Sequence, residues 1–176
     1  MNGRHQQQGR PQQGQQGKRD DEYPFTNELI SKLKTEHITN IKGRNIFHPD
    51  GYAKNIVEEL ELKGVQLRRF YMELKNIQEI MKSYEKDKSK EDGDVDSGNK
   101  KDVDIDYVKY RLYKLYAIIN YQAKRKVIKP EFAELLTVIL DNIERQNFDK
   151  TAVDRAVDLL MAMVAYSKED DKDKGG

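Results

Sequence analysis

The sequence predicts an all-α protein, about five helices packed as a bundle. Apolar residues recur at i, i+3 and i+4 in five separate stretches, the spacing that puts them on one side of a helix. No run alternates apolar and polar with the period of a strand, and the Asp-Gly pairs at Asp50-Gly51 and Asp92-Gly93 join no alternating runs into a hairpin. With 176 residues, 36% hydrophobic and 36% charged, the chain suits one small core and is too polar for a large barrel or a doubly wound sheet.

Taken in order, residues 1–22 are rich in Gln and Gly and have almost nothing to bury, so they read as a disordered tail. A single helical domain spans 23–168. Its first strong helix carries Tyr52, Ala53, Ile56, Val57 and Leu60, with the turn His48-Pro49-Asp50 before it, Asp50 as a cap and Gly64 placed to end it. Leu67, Phe70, Tyr71, Leu74, Ile77, Met81 and Tyr84 keep one face over five turns of the next helix. Mixed charge and glycines at 85–104 predict a mobile loop inside the domain. Beyond it, Ile105, Val108, Leu112, Leu115, Ile119 and Ala123 form a seam for packing on other helices. Pro130 suits the first turn of a fourth helix, with Phe132, Leu135, Leu136, Ile139, Leu140 and Ile143 inward. Asp149 or Thr151 can cap the fifth, whose face is Val153, Ala156, Val157, Leu160, Met161 and Val164. Residues 169–176 read as a second tail.

Catalytic chemistry is thinly supplied, and the expectation is a protein that is not an enzyme and has no cofactor. The chain has no cysteine, which excludes disulfides, thiolate metal sites and cysteine nucleophiles. No phosphate-binding loop, dinucleotide fingerprint, His-Glu-x-x-His or Gly-x-Ser-x-Gly occurs. His5 falls in the tail, and His37 and His48 precede the first strong helix. Asp92, Asp94 and Asp96 alternate as in a calcium loop, but the glycine is misplaced at Gly98 and the closing Glu is missing, so a solvated charge run accounts for them better. No apolar run approaches the roughly 20 residues that cross a bilayer, and the first residues lack the apolar core of a secretory signal. A cytoplasmic protein without membrane contact is expected.

The net charge of +1 is a cancellation of unlike segments. Residues 85–106 carry five Lys against nine Asp or Glu, whereas residues 107–129 carry seven Lys or Arg and no acid. If the seam of the third helix faces the core, its far side carries Tyr107, Tyr110, Arg111, Lys114, Tyr121 and Arg125. Cations neutralise phosphates while rings and guanidinium planes stack on bases or riboses, so such a stripe suits a polyanion. Lys124, Lys126 and Lys129 extend it around the helix end. An ordinary solvated face with tyrosines at its edges fits the same residues. In the first half, Arg68, Arg69, Lys75 and Lys82 lie on or beside a polar side interleaved with Glu73 and Glu79, where pairing within the helix is the competing reading.

Three short segments in this order resemble a known family: Gln-Leu-Arg-Arg-Phe-Tyr from Gln66, Tyr-Gln-Ala-Lys-Arg from Tyr121 and Ala-Tyr-Ser-Lys from Ala165. They are similar to motifs of the small helical subunit of type III-A CRISPR effector (Csm) complexes, over about Tyr52 to Lys168. Asn120 and Lys124 depart from the family's usual Ala and Gly. The resemblance implies a non-catalytic subunit, several copies of which stack head to tail beside the backbone subunits and contact target RNA in the guide–target duplex without reading sequence. By position it assigns Arg68, Arg69 and Arg125 to RNA or a neighbouring subunit. With the polar sides of the two helices, the candidate RNA-binding set is Arg68, Arg69, Lys75, Arg111, Lys114, Tyr121, Lys124 and Arg125. Outward Met72, Ile118 and Met163 are candidates for the stacking surface. Two other readings stand beside this one. One is a helical scaffold that binds only protein, its basic face meeting an acidic partner; the other is a small hydrolase or metalloprotein built on His37 and His48.

Overall fold

The computed structural model describes residues 22–88 and 105–167. The tails predicted at 1–22 and 169–176 lie outside them except for Glu22, as does most of the predicted loop; its residues 85–88 continue the preceding helix. The helices are α1 (Pro24–Thr35), a 3-10 helix (Ile38–Asn40), α2 (Gly43–Phe47), α3 (Tyr52–Leu60), α4 (Gly64–Lys88), α5 (Ile105–Lys124), α6 (Pro130–Arg145) and α7 (Lys150–Tyr166). No strand occurs among the described residues. The all-α class holds, and α1, α2 and the 3-10 helix add to the five helices read from the sequence.

Helix α7 lies at the centre, packed most extensively on α4 and also on α3, α2, α6 and the 3-10 helix. Ala152, Ala156 and Ala162 let those neighbours approach closely, and Leu159, Leu160 and Met163 fill the space between them. Met163 is therefore wholly buried and cannot serve an outer stacking surface, while Met161 is the exposed methionine of this helix. Ile118 is likewise packed against the core, whereas Met72 is exposed. Phe132 of α6 meets Phe70 of α4 edge to face, with centroids 6.1 Å apart. Asp149 caps α7 by accepting from the amides of Thr151 and Ala152.

Two helix ends differ from expectation. Helix α3 ends at Glu61, in the left-handed region at φ 53°, with the Leu62 amide donating to the Val57 carbonyl; Gly64 instead opens α4. Gly51, not Asp50, is the first cap of α3. A Cβ at Gly51 would stand 2.5 Å from the Asn45 carbonyl oxygen, so the tight approach of α2 to α3 selects glycine.

Helix α1 buries Leu29, Ile30 and Leu33 and is held at both ends by side chains from distant helices. At its N-terminus the Glu59 carboxylate accepts from the amides of Phe25 and Thr26 and from the Thr26 hydroxyl, at 2.8 to 3.0 Å. At its C-terminus, Asn142 of α6 donates to the carbonyls of Leu33 and Glu36, both at 2.7 Å, and accepts from the Ile38 amide at 2.8 Å. Arg145, one turn on, donates to the carbonyls of Lys34 and Leu33.

Asn142→Leu leaves the buried Ile38 amide without its acceptor and takes one of two donors from each of the Leu33 and Glu36 carbonyls, which keep Arg145. It is expected to lower stability by on the order of 3 kcal/mol in chemical denaturation. Asp149→Ala, which removes only a cap, is expected to lower it by about 1 kcal/mol in the same measurement.

Candidate nucleic-acid interface

Helix α5 packs on α6 along one flank and on α4 along another, which leaves one face to solvent. Each flank is marked by polar bonds. Toward α6, Tyr113 donates to Glu144 at 2.9 Å and Tyr116 to Asp141 at 2.7 Å. Burial first, and then the bond to Asp141, pushes the Tyr116 hydroxyl well above the usual phenol range. Toward α4, Arg111 Nη2 meets Glu73 at 3.0 Å, and the Gln66 amide donates to the Val127 carbonyl just beyond α5. The helices thus run antiparallel, and the start of α4 lies beside the end of α5.

The exposed face carries Tyr110, Lys114, Tyr121, Lys124 and Arg125, as the helical spacing predicts. Arg125 lies over the Tyr121 ring, 5.4 Å from its centroid, and donates to the Tyr121 hydroxyl at 3.1 Å. The guanidinium is thus held at the ring one turn before it. Past α5 the chain turns through Lys126 at φ 56°, with the Val127 amide donating to the Gln122 carbonyl. Lys126 is exposed at this turn.

The candidate set divides by partner and by direction. Arg68, Arg69, Lys114, Lys124 and Lys126 make no ion pair among the described residues, and all are exposed. Arg69 stands between Gln66 and Glu73 in helical register, on the edge of α4 that meets α5. Arg68 diverges: its guanidinium comes to 3.4 Å from the place of a Cβ on Gly64, near Ser167 at the end of α7. Arg111 is half-buried and spends its charge on Glu73, with a longer bond to the Tyr107 hydroxyl at 3.4 Å. Lys75 points the other way, bonded to Glu79 at 2.8 Å and to Gln78, which itself reaches Asp154 of α7. The bond to Glu79 pushes the Lys75 ammonium up and, reciprocally, holds the Glu79 carboxyl down. The structure therefore leaves Arg69, Tyr121, Lys124, Arg125 and Lys126 exposed where the start of α4 meets the end of α5, with Lys114 about three turns before Arg125 on the same exposed face of α5. Arg68, Lys75 and Arg111 are set apart from it.

Lys129, an extension of the basic stretch in the sequence, is 3.6 Å from Glu61 and lies over the Tyr23 ring. Lys109 lies over Phe148 and is 3.9 Å from Asp106. Both are engaged inside the fold.

A separate cleft of about 260 Å³ lies between α1, α2 and α3, lined in part by Glu28, Arg44, His48, Asp50 and Tyr52. Its polar groups are turned on one another: His48 Nδ1 accepts from the Asp50 amide at 3.2 Å, and Tyr52 donates to Glu28 at 2.6 Å. Burial and the Glu28 bond push the Tyr52 hydroxyl up, which keeps it protonated. No group of three His, Asp or Glu side chains suited to a metal forms among the described residues. No described helix is long and apolar enough to cross a membrane.

The family model described as Csm2 Type III-A matches residues 44–173, well over half of the chain. The matched segment begins inside α2 and takes in every residue of the candidate interface, while α1 and the 3-10 helix precede it. No curated protein and no solved structure matches the chain.

Glu73→Gln removes one negative charge and releases Arg111 from its ion pair. Retention on immobilised heparin is expected to rise, with affinity increasing about two- to fivefold, the scale of one exposed ion pair. Lys126→Gly relieves a left-handed lysine, so the melting temperature is expected to hold or to rise by the equivalent of up to about 1 kcal/mol while heparin retention falls.

Proposed function

The chain belongs to the Csm2 Type III-A family and is a small subunit of a type III-A CRISPR effector complex, alongside other Csm subunits, and from that premise we propose that it is a non-catalytic, RNA-binding subunit. It grips target RNA within the guide–target duplex through the basic end of the α4–α5 edge. The observation that carries this reading is the exposed row of Lys114, Lys124, Arg125 and Lys126 on and just after α5, with Arg69 beside its end, none with an acidic partner among the described residues, and a Tyr121 ring already paired with Arg125.

The chemistry of these groups suits a backbone more than a base sequence. Lysine ammonium groups on flexible stems act as point charges for phosphates, and Arg125, fixed on Tyr121, offers its remaining donors in a set plane. None is recessed in a pocket that could compare base edges. Recognition of sequence then falls to pairing between guide and target, and the subunit adds affinity common to all targets. Copies of the chain stack head to tail along the complex, with exposed Met72 contributing to the contact. A cytoplasmic location suits such a particle.

Lys114→Ala with Arg125→Ala is expected to weaken RNA binding by the same factor across unrelated sequences. The slope of log affinity against log salt should become shallower by about 0.7 for each single-strand phosphate that the variant no longer neutralises. Filter binding over a salt series measures both. Effects that differ from sequence to sequence, or no weakening at all, would overturn the reading. A chain that binds an acidic protein and no RNA even at low salt would favour the protein-only scaffold instead.

A further inference from the structure

Helix α5 carries tyrosines at 107, 110, 113, 116 and 121, and the fold makes use of four of them. Tyr113 and Tyr116 bond to acids of α6, Tyr107 accepts from Arg111, and Tyr121 is covered by Arg125. Tyr110 differs. It is 62% exposed, the highest value among the exposed large apolar side chains described, and it makes no hydrogen bond, ring contact or cation contact among the described residues.

Its position gives that exposure a meaning. Lys114 lies one turn on, on the same side of the helix, and is itself exposed and without an ion pair among the described residues. Tyr121 and its Arg125 follow nearly on the same line, since eleven residues return within about 20° after three turns and rise about 16 Å. The acid nearest before Tyr110 on this helix, Asp106, stands beside Lys109. A flat apolar ring thus opens a row of cations. A phosphate alone would satisfy Lys114 and leave the ring in water, and a duplex hides its base faces inside its own stack. An unpaired nucleotide offers both an anion and a free face.

We propose that Tyr110 is a stacking platform for an unpaired RNA base whose phosphate is held by Lys114. The proposal rests on the RNA-binding reading above, narrows the Tyr110 contact to a nucleotide of the target RNA not paired with the guide, and adds a preference that the lysines and Arg125 do not supply: for unpaired bases over a bare sugar-phosphate strand or a closed duplex.

The test is binding of the full chain to three labelled probes: an unstructured oligoadenylate, an abasic strand of equal length and a blunt RNA duplex. The wild type is expected to favour oligoadenylate over both others. Tyr110→Ala should lower oligoadenylate affinity by about five- to a hundredfold, the scale of one base–aromatic stack, and bring it to the level of the abasic strand. Its salt slope should stay unchanged, because every phosphate keeps its cation. Tyr110→Phe should retain the preference, since the ring and not the hydroxyl does the stacking. Lys114→Ala should weaken oligoadenylate and the abasic strand alike and reduce the slope. Tyr110 is exposed, so the variants should melt as the wild type does. If Tyr110→Ala binds oligoadenylate like the wild type, or is weakened as much on the abasic strand, while Lys114→Ala still weakens binding, the platform is refuted and the RNA-binding reading stands. If the wild type binds no probe, both fall together.

Discussion

The arrangement of the helices turns on one buried amide. Asn142 is fully enclosed, and every hydrogen-bonding capacity of its side chain is used: two donors to carbonyls at the end of α1, and an oxygen that accepts from the Ile38 amide and from Gln146. An amide satisfied in this way fixes position and orientation, because a shift of α1 by one residue would leave buried donors and acceptors without partners. The same turn of α6 looks two ways. Asn142, Arg145 and Gln146 face α1 and the 3-10 helix, while Asp141 and Glu144 accept from tyrosines of α5. A helix step of 100° per residue sorts these five side chains between the two neighbours. The exposed basic face of α5 is therefore oriented, through α6, by the clamp on α1.

Much of this was legible in the sequence, and the exceptions have physical reasons. The five strong helices are readable because apolar spacing alone sets their buried faces, as with Leu67, Phe70, Leu74 and Ile77 in α4. Helix α1 escaped because its apolar residues are few and lie among charges; yet Pro24 at the first turn with Leu29, Ile30 and Leu33 behind it was a usable signal. The burial of Met163 in place of Met161 was not readable, since a central helix is enclosed on more than one side and has no single apolar stripe. The end of α3 misled for a related reason. Glutamate occupies the left-handed position there, and the nearby glycine serves a different purpose.

The candidate interface was legible in part. Helical spacing placed Lys114, Tyr121 and Arg125 on one face, because side chains three and four apart share a side whatever the tertiary fold. What spacing within one helix cannot supply is the partner from another. Glu73 takes Arg111, Glu61 takes Lys129, and Gln78 with Glu79 turns Lys75 toward α7. The seven positive charges of residues 107–129 thus overstate the free charge on the surface. What remains is concentrated where the end of α5 meets the beginning of α4.

The clamp on α1 also bears on the order in which the chain folds. Ile38 and Asn142 are 104 residues apart, and Arg145 reaches back 112 residues to Leu33. Contacts of that separation form only after the intervening chain has been ordered or looped, and they slow folding in proportion to their share. During synthesis α1 leaves the ribosome before the other described helices, yet the amide that bonds its final carbonyls belongs to α6. Helix α1 can meet α3 early, with Glu59 at its first turn, but its last carbonyls and the side of its apolar face that packs on α6 stay open until α6 arrives.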